Sequence, residues 1–320
     1  MDLRQVRSFL AVVDNGSFSA AATALFTVQS NVSTHVARLE DELGVTLLDR
    51  RTRQLTQAGS VVEKRGREIV RQLSAIADDL AAIEDRIIGD VVCGTTPSIG
   101  LAVIPPTLAR ATRELPEVSV SVVEAHSGTL VQQLLAGDVD LAITTGASNP
   151  ELQSTPLFTE DIVAVFSTDH PFAAKTSVTL RDLAQTKLLL PLHDNPLYDH
   201  ISRAFSEADV PLRTGLEVGS SALVQAMAAA HVGVALIPAT AAADHNEREL
   251  VVKPISDMAP RRVALTTLSV SQPTRALEAV AFIIEEIAKD AAASLPGCHT
   301  DATTSSPQAS VELPNVLSIP

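Results

Sequence analysis

Residues 17–40 read SFSAAATALFTVQSNVSTHVARLE, and this stretch decides the fold of the N-terminal part. Ser17 or Ser19 can cap a helix reaching to about Leu25, because a hydroxyl at that place accepts from a free backbone N–H. After Phe26, Thr27 and Val28 the apolar spacing resumes at Val32, Val36, Leu39 and Leu43, and Gly44 supplies a stop. With those residues turned inward, Gln29, Ser30, Ser33 and Thr34 face outward. The second helix therefore shows a neutral hydrogen-bonding face in a chain of formal net charge −14.

Upstream, Leu3, Val6, Phe9, Leu10 and Val13 mark a preceding helix that Asn15-Gly16 ends. Downstream, VTLLDRRTRQLTQAG (residues 45–59) predicts two short strands around an arginine-rich turn. Val62, Ile69, Leu73, Ile76, Leu80, Ile83 and Ile87 then fall on a heptad seam interrupted at Gly66, which predicts one long helix that pairs with another helix. Past Gly89, strands and helices alternate through DVVCGTT, VSVSVVEA, GTLVQQLLAG and DLAITT, a pattern that predicts a parallel, doubly wound sheet. A second set follows through DIVAVFS, KLLLPL, GLEVGS, VGVALIP and RRVALTTLSV, closed by the helix RALEAVAFIIEEIAKD. The division expected is 1–58, 59–88 and 89–290, the last in two lobes of 89–161 with 266–290 and 162–265. The Ser/Thr/Pro-rich stretch 291–320 reads as a disordered tail.

Composition excludes several classes. At 320 residues with 46% hydrophobic and 19% charged side chains, the chain fits a multi-domain globular protein. The uncharged run 222–243 is mostly alanine and carries Gly233 and Pro238, so a helix entering a buried strand explains it better than a membrane span. With no secretory signal and only Cys93 and Cys298, a reducing cytoplasmic setting is expected, and Cys93 in its apolar strand reads as an inert core residue. There is no Gly-x-Ser-x-Gly, phosphate-cradling loop or dinucleotide fingerprint, so neither an enzyme nor a cofactor is indicated. His193, Asp194, Asp199 and His200 in PLHDNPLYDH lack metal-ligand spacing, so no metal site is expected there. His231 reads as a helix C-terminal cap. Residues 1–90 hold 11 basic and 13 acidic side chains, a balance of −2, which leaves −12 on the remainder.

The helix pair, the arginine turn, the long helix and the βα series, in this order, resemble a LysR-type transcriptional regulator over about residues 1–290. SFSAAATAL, TVQSNVSTHVARLEDELGVTLLDRRTRQLTQAG, IPPTLAR, LLAGDVDLAI and DHPFA carry the likeness. It implies an all-α winged helix-turn-helix, a linker helix, and a two-lobed α/β effector domain of the type 2 periplasmic-binding-protein kind. It further implies a dimer or tetramer that binds double-stranded promoter DNA and a small-molecule effector, with no membrane partner. Such regulators usually carry Ser where Val28 stands, and often Pro and Arg at the places of Ser30 and Thr34. Thr27 is the expected substitute cap.

In a helix-turn-helix the second helix enters the major groove, where Gln can pair with adenine and Ser or Thr with several bases. The candidate DNA-contacting residues are Ser17, Phe18, Ser19, Thr27, Val28, Gln29, Ser30, Asn31, Ser33, Thr34, Arg38, Arg50, Arg51 and Arg53, with Arg4, Arg7, Lys64, Arg65 and Arg67 nearby. Dimerisation is assigned to Ile69, Leu73, Ile76, Leu80 and Ile83. The effector is expected between the lobes, at hydroxyl-rich turns that open helices: Thr95, Thr96 and Ser98; Ser127 and Thr129; Thr144 and Thr145; Ser220 and Ser221. A small anionic metabolite suits such donors.

Overall fold

Asp2 starts the first helix with a reciprocal capping box, its carboxylate accepting from the Gln5 N–H while the Gln5 side chain accepts from the Asp2 N–H. This holds in a computed structural model that describes residues 1–49, 51–52, 54–83, 86–146, 149–243, 248–269 and 273–300; side chains of 74, 75, 77–79, 81–83 and 214 fall outside that description. Residues 1–86 with 135–138 form one unit and the rest a second.

In the first unit α1 (Leu3–Asn15), α2 (Phe18–Ala24) and α3 (Gln29–Leu43) surround Phe9, Val32 and Leu39, all fully buried. Gly16 and Gly44 take the left-handed backbone that ends α1 and α3. Among the described residues, the two strands expected after Gly44 shrink to one antiparallel bridge between Leu48 and Leu55. Backbone bonds from the Asp49 N–H to the Gln54 carbonyl and from the Thr56 N–H to the Leu47 carbonyl flank that bridge, and the next helix begins directly after Thr56. The Asp49 carboxylate closes the turn by accepting from the N–H groups of Arg51 and Thr52. Those N–H donors hold the Asp49 carboxyl below its ordinary pKa.

The long helix α4 runs Gln57–Ile83. Val62 and Val70 pack on the α1–α3 core, and a Cβ on Gly66 would sit 2.9 Å from Val6. The interruption in the heptad seam is thus where α4 lies on α1, and Val62 belongs to that contact instead of the seam. Ile69, Leu73, Ile76 and Leu80 stay exposed, while the Ile83 side chain lies outside the described residues.

In the second unit β1 (Gly89–Thr95), α5 (Pro97–Glu114), β2 (Val118–Glu124), α6 (Ser127–Ala136) and β3 (Leu141–Thr145) form the expected parallel series, β1 pairing with both others. β4 (Leu152–Glu160) leads within one residue into β5 (Ile162–Ser167) of a second sheet. That sheet adds β6 (Leu188–Leu190), β7 (Thr214–Glu217), β8 (Val234–Pro238) and β9 (Leu250–Pro254), with α7 (Leu180–Leu183), α8 (Pro196–Glu207), α9 (Ser221–Ala229) and α10 (Ala239–Ala242) between them. The chain returns through β10 (Arg261–Leu268), α11 (Arg275–Ser294) and β11 (Cys298–His299). The strand orders are β11-β4-β10-β3-β1-β2 and β7-β6-β8-β5-β9.

The first sheet is therefore mixed, not wholly parallel as expected. β1 and β3 end at the edge facing the second sheet, and the returning chain enters from that edge. β10 must then run against β3, as it does. Its place in the first sheet from Arg261 onward puts the return crossing before residue 266. The expected tail also begins too early: α11 continues to Ser294, and β11 pairs with the end of β4. Gly297, at φ +77°, turns the chain so that its carbonyl accepts from the Asp161 N–H and Cys298 is buried. Residues 301–320 lie outside the described residues. His231 follows α9 at φ +59°, its ring nitrogen 2.9 Å from the Ser167 hydroxyl, in keeping with a helix-ending role. No described helix is long and apolar enough to cross a membrane.

A close approach yields a stability test. A Cβ on Gly59 would lie 2.1 Å from the Leu47 carbonyl oxygen, which is backbone and cannot rotate away. Gly59→Ala should lower stability by about 1–3 kcal/mol despite its better helix propensity. Gly128→Ala, with no atom within 4 Å of the added methyl, should gain about 0.4–1 kcal/mol. Chemical denaturation of both variants compares the two.

Candidate functional site

The exposed start of α3 is assembled from two helix ends. Ser17 caps α2, its hydroxyl accepting from the Ala20 N–H at 3.1 Å, and Phe18 packs against the buried cluster. Ser19 is exposed. The α3 N-cap is Val28, in extended backbone with no side-chain cap. Thr27 does not replace it: its hydroxyl oxygen accepts instead from the Asn31 amide at 3.0 Å. Backbone N–H groups at the start of α3 thus stay available to an outside acceptor.

Gln29, Ser30, Asn31, Thr34 and Arg38 are exposed and Ser33 half-buried. The Thr34 hydroxyl donates to the Ser30 carbonyl at 2.8 Å. Arg51 stands exposed on the Asp49 turn, whereas Arg50 and Arg53 lie outside the described residues. Arg67 is not a free cation, because Asp14 and Glu63 engage its guanidinium. Arg65 pairs with Glu68.

In the second unit, the edge where β1, β3 and β10 meet faces the starts of α8, α9 and α10 across a cavity of about 410 Å³. Thr96, Ser98, Ser127, Thr145, Ser220 and Ser221 line it, six of the nine residues expected from sequence. The other three point elsewhere. Thr95 is buried and donates to the Thr96 carbonyl. Thr144 is fully buried and shares a 2.8 Å hydrogen bond with Thr266 inside the sheet. Thr129 is exposed on α6 and outside the lining.

Local chemistry separates the lining hydroxyls. Ser220 spends its oxygen on the Leu223 N–H as the cap of α9. Ser127 accepts from the Thr145 N–H at 3.0 Å. Thr96 is different: it precedes α5 but makes no cap bond, and its buried hydroxyl has no partner. Leaving such a hydroxyl unpartnered costs about 1–3 kcal/mol.

Sequence reasoning missed the charged floor. Glu160 is fully buried, and its carboxylate accepts from Arg261 at 2.6 Å and from the Thr240 hydroxyl at 2.8 Å. Arg261 also reaches the Ser98 hydroxyl at 3.3 Å. No local pattern marks Glu160 as buried, because its partner lies 101 residues away. Glu124, His126, Asn195 and Gln225 complete the polar lining. In the PLHDNPLYDH loop, His193 pairs with Glu217 at 2.6 Å and His200 bonds the Ala259 carbonyl at 3.0 Å. Among the described residues no group of potential ligands could hold a metal ion.

These two sites sit in matched regions of known architecture. Residues 3–60 match the model of the bacterial regulatory helix-turn-helix proteins of the lysR family, and residues 85–288 match the LysR substrate binding domain. The chain belongs to the LysR family. It is a DNA-binding transcriptional regulator, not an enzyme. It is 30% identical over 279 residues to the HTH-type transcriptional regulator BbuR of Bordetella bronchiseptica, covering 86% of each chain. It is 29% identical over 266 residues to the hydrogen peroxide-inducible genes activator of Escherichia coli O6:H1, covering 82% of this chain and 87% of that one. Full-length OxyR of Pseudomonas aeruginosa, bearing a cysteine-to-aspartate change, has the same fold: TM-score 0.75 at 22% identity, over 90% and 95% of the two chains.

The buried pair gives a test of the LysR regulator's cleft. Arg261→Met would leave the Glu160 carboxylate buried with Thr240 alone, at a cost of about 3–5 kcal/mol. Adding Glu160→Gln should recover much of that loss. Urea denaturation of both variants reads the difference.

Proposed function

We propose that this LysR-family regulator reads promoter DNA with α3 and the Asp49 turn, and that a small organic anion in the cleft adjusts its grip. In this reading residues 1–58 bind DNA, 59–88 dimerise, and 89–290 hold the effector. The observation that carries it is the orphan Thr96 hydroxyl, buried in the cavity wall at the unblocked start of an 18-residue helix. A carboxylate would accept from that hydroxyl, from Ser98 and from the free N–H groups of the first turn. The −12 balance of this part opposes anions at long range but is screened beyond about 8–10 Å, which leaves the contact donors to outweigh Glu124, the acidic side chain of the lining.

The peroxide response named for the Escherichia coli relative fits this chain less well. Its two thiols are buried, and both are pushed up to about 12: Cys93 by burial, Cys298 by burial and then the Glu160 and Asp161 carboxylates. They lie on β1 and β11 with three strands between them, roughly 19 Å at the usual strand spacing. A disulfide needs Cα atoms within about 7 Å. Thiolate chemistry between these two residues is disfavoured on both counts.

Thr96→Val tests the effector reading through two opposite signs. Removing the orphan hydroxyl should stabilise the free protein by about 1 kcal/mol or more. The same change should weaken binding of the best ligand from an organic-acid panel, measured by isothermal titration. Binding that ignores Thr96→Val and Ser98→Ala would remove the site.

On DNA, Gln29→Ala should cost about 1–3 kcal/mol of discrimination at one base position. Arg51→Ala should weaken all duplexes alike and flatten the salt dependence. The exposed Ile69, Leu73, Ile76 and Leu80 stripe is proposed to be covered by a second copy's helix. Leu73→Glu with Leu80→Glu should then lower the mass seen by light scattering, since buried unpaired charge forces the seam apart.

A further inference from the structure

Three described non-glycine residues have left-handed backbone: Phe26 at φ +52°, Asp209 at +55° and His231 at +59°. Asp and His are among the types that enter this region readily, whereas a bulky aromatic there is an outlier. Phe26 stands just past the Leu25 cap of α2, where its N–H donates to the Thr23 carbonyl and the Thr27 N–H donates to the Ala22 carbonyl. That turn ordinarily takes glycine or asparagine. Phe26 recovers nothing by packing, for its side chain is 97% exposed.

Two residues on, Val28 occupies the N-cap of α3 without a cap bond and is 60% exposed. Serine or asparagine at that position would add about 1 kcal/mol of stability. Two apolar side chains therefore stand where polar ones would be more stable, beside the outward Gln29. Local strain kept at the expense of stability points to function.

We infer that Phe26 and Val28 are specificity residues that contact thymine methyl groups in the major groove. The inference rests on the reading of α3 as the recognition helix. Of the features that base pairs present in that groove, the thymine C5-methyl is the apolar one, and apolar side chains are its natural partners. Phosphates offer no such surface. Gln29 suits adenine, so an A·T step would engage Gln29 through its adenine and its apolar neighbours through thymine.

The test uses the full-length chain and the duplex it selects from a random library. Replacing single thymidines by deoxyuridine removes the methyl and nothing else. At one or two positions the wild-type affinity should fall about fourfold each, the value of one buried methyl group. Phe26→Asn should be indifferent to uridine at one such position, Val28→Thr at another. Phe26→Asn should also unfold at higher temperature, because asparagine accepts the left-handed turn; weaker selected-site binding in a more stable protein is not what a structural role would produce. Wild-type affinity unchanged by uridine at every position overturns the inference. So does Phe26→Asn that binds DNA as the wild type does but fails in transcription with purified RNA polymerase, since the apolar pair would then face a protein. Gln29→Ala separates the two readings: unchanged discrimination in that variant removes the recognition helix itself, whereas lost discrimination with uridine indifference removes only the thymine contact.

Discussion

The buried ion pair between Glu160 and Arg261 is the constraint on which the second unit depends. Glu160 ends β4 one residue before β5 opens the second sheet, and Arg261 begins β10 where the chain comes back. One 2.6 Å contact thus ties the outgoing crossing to the returning one. A carboxylate with no exposure is tolerable only because the guanidinium and the Thr240 hydroxyl replace the water it has lost. The pair also sets the chemistry above it. Arg261 is largely neutralised by Glu160, so its reach toward Ser98 adds a donor to the cavity without adding a full free charge. The rest of the polar lining is hydroxyls with Glu124, His126, Asn195 and Gln225.

The same crossing is braced from the C-terminal side. The Gly297 carbonyl takes the Asp161 N–H, the Asp161 carbonyl takes the Ala239 N–H, and His299 pairs with the Asp161 carboxylate at 3.1 Å. β11, only two residues long, therefore sits where the sheets exchange the chain. Its shortness hides it from any pattern search, because two residues cannot show a period.

In the first unit, the local rules that favour stability are broken within three residues. Capping, turn chemistry and burial follow ordinary rules at Asp2, Ser17, Gly44 and Gly59, and depart from them at Phe26 and Val28. The departures stand in the turn before α3 and at its N-cap. The interior obeys the local rules: Val32, Val36 and Leu39 are buried at their helical spacing.

What the sequence determined by itself was everything carried by short-range period and punctuation. The helices around residues 17–43, the long α4, the β1-α5-β2-α6-β3 series and most of the second sheet follow from spacing, and hydroxyls at helix starts and at one strand end pointed to six cavity residues. Tertiary structure decided what depends on partners distant in the chain. Thr144 and Thr145 are adjacent in sequence yet face opposite ways, one into the sheet and one into the cavity, because alternate strand residues take opposite faces. Val62 left the heptad seam because Gly66 lets α4 lie against Val6. Glu160 became a buried anion only because β10 brings Arg261 back across 101 residues, and no local pattern encodes a contact between groups so far apart along the chain.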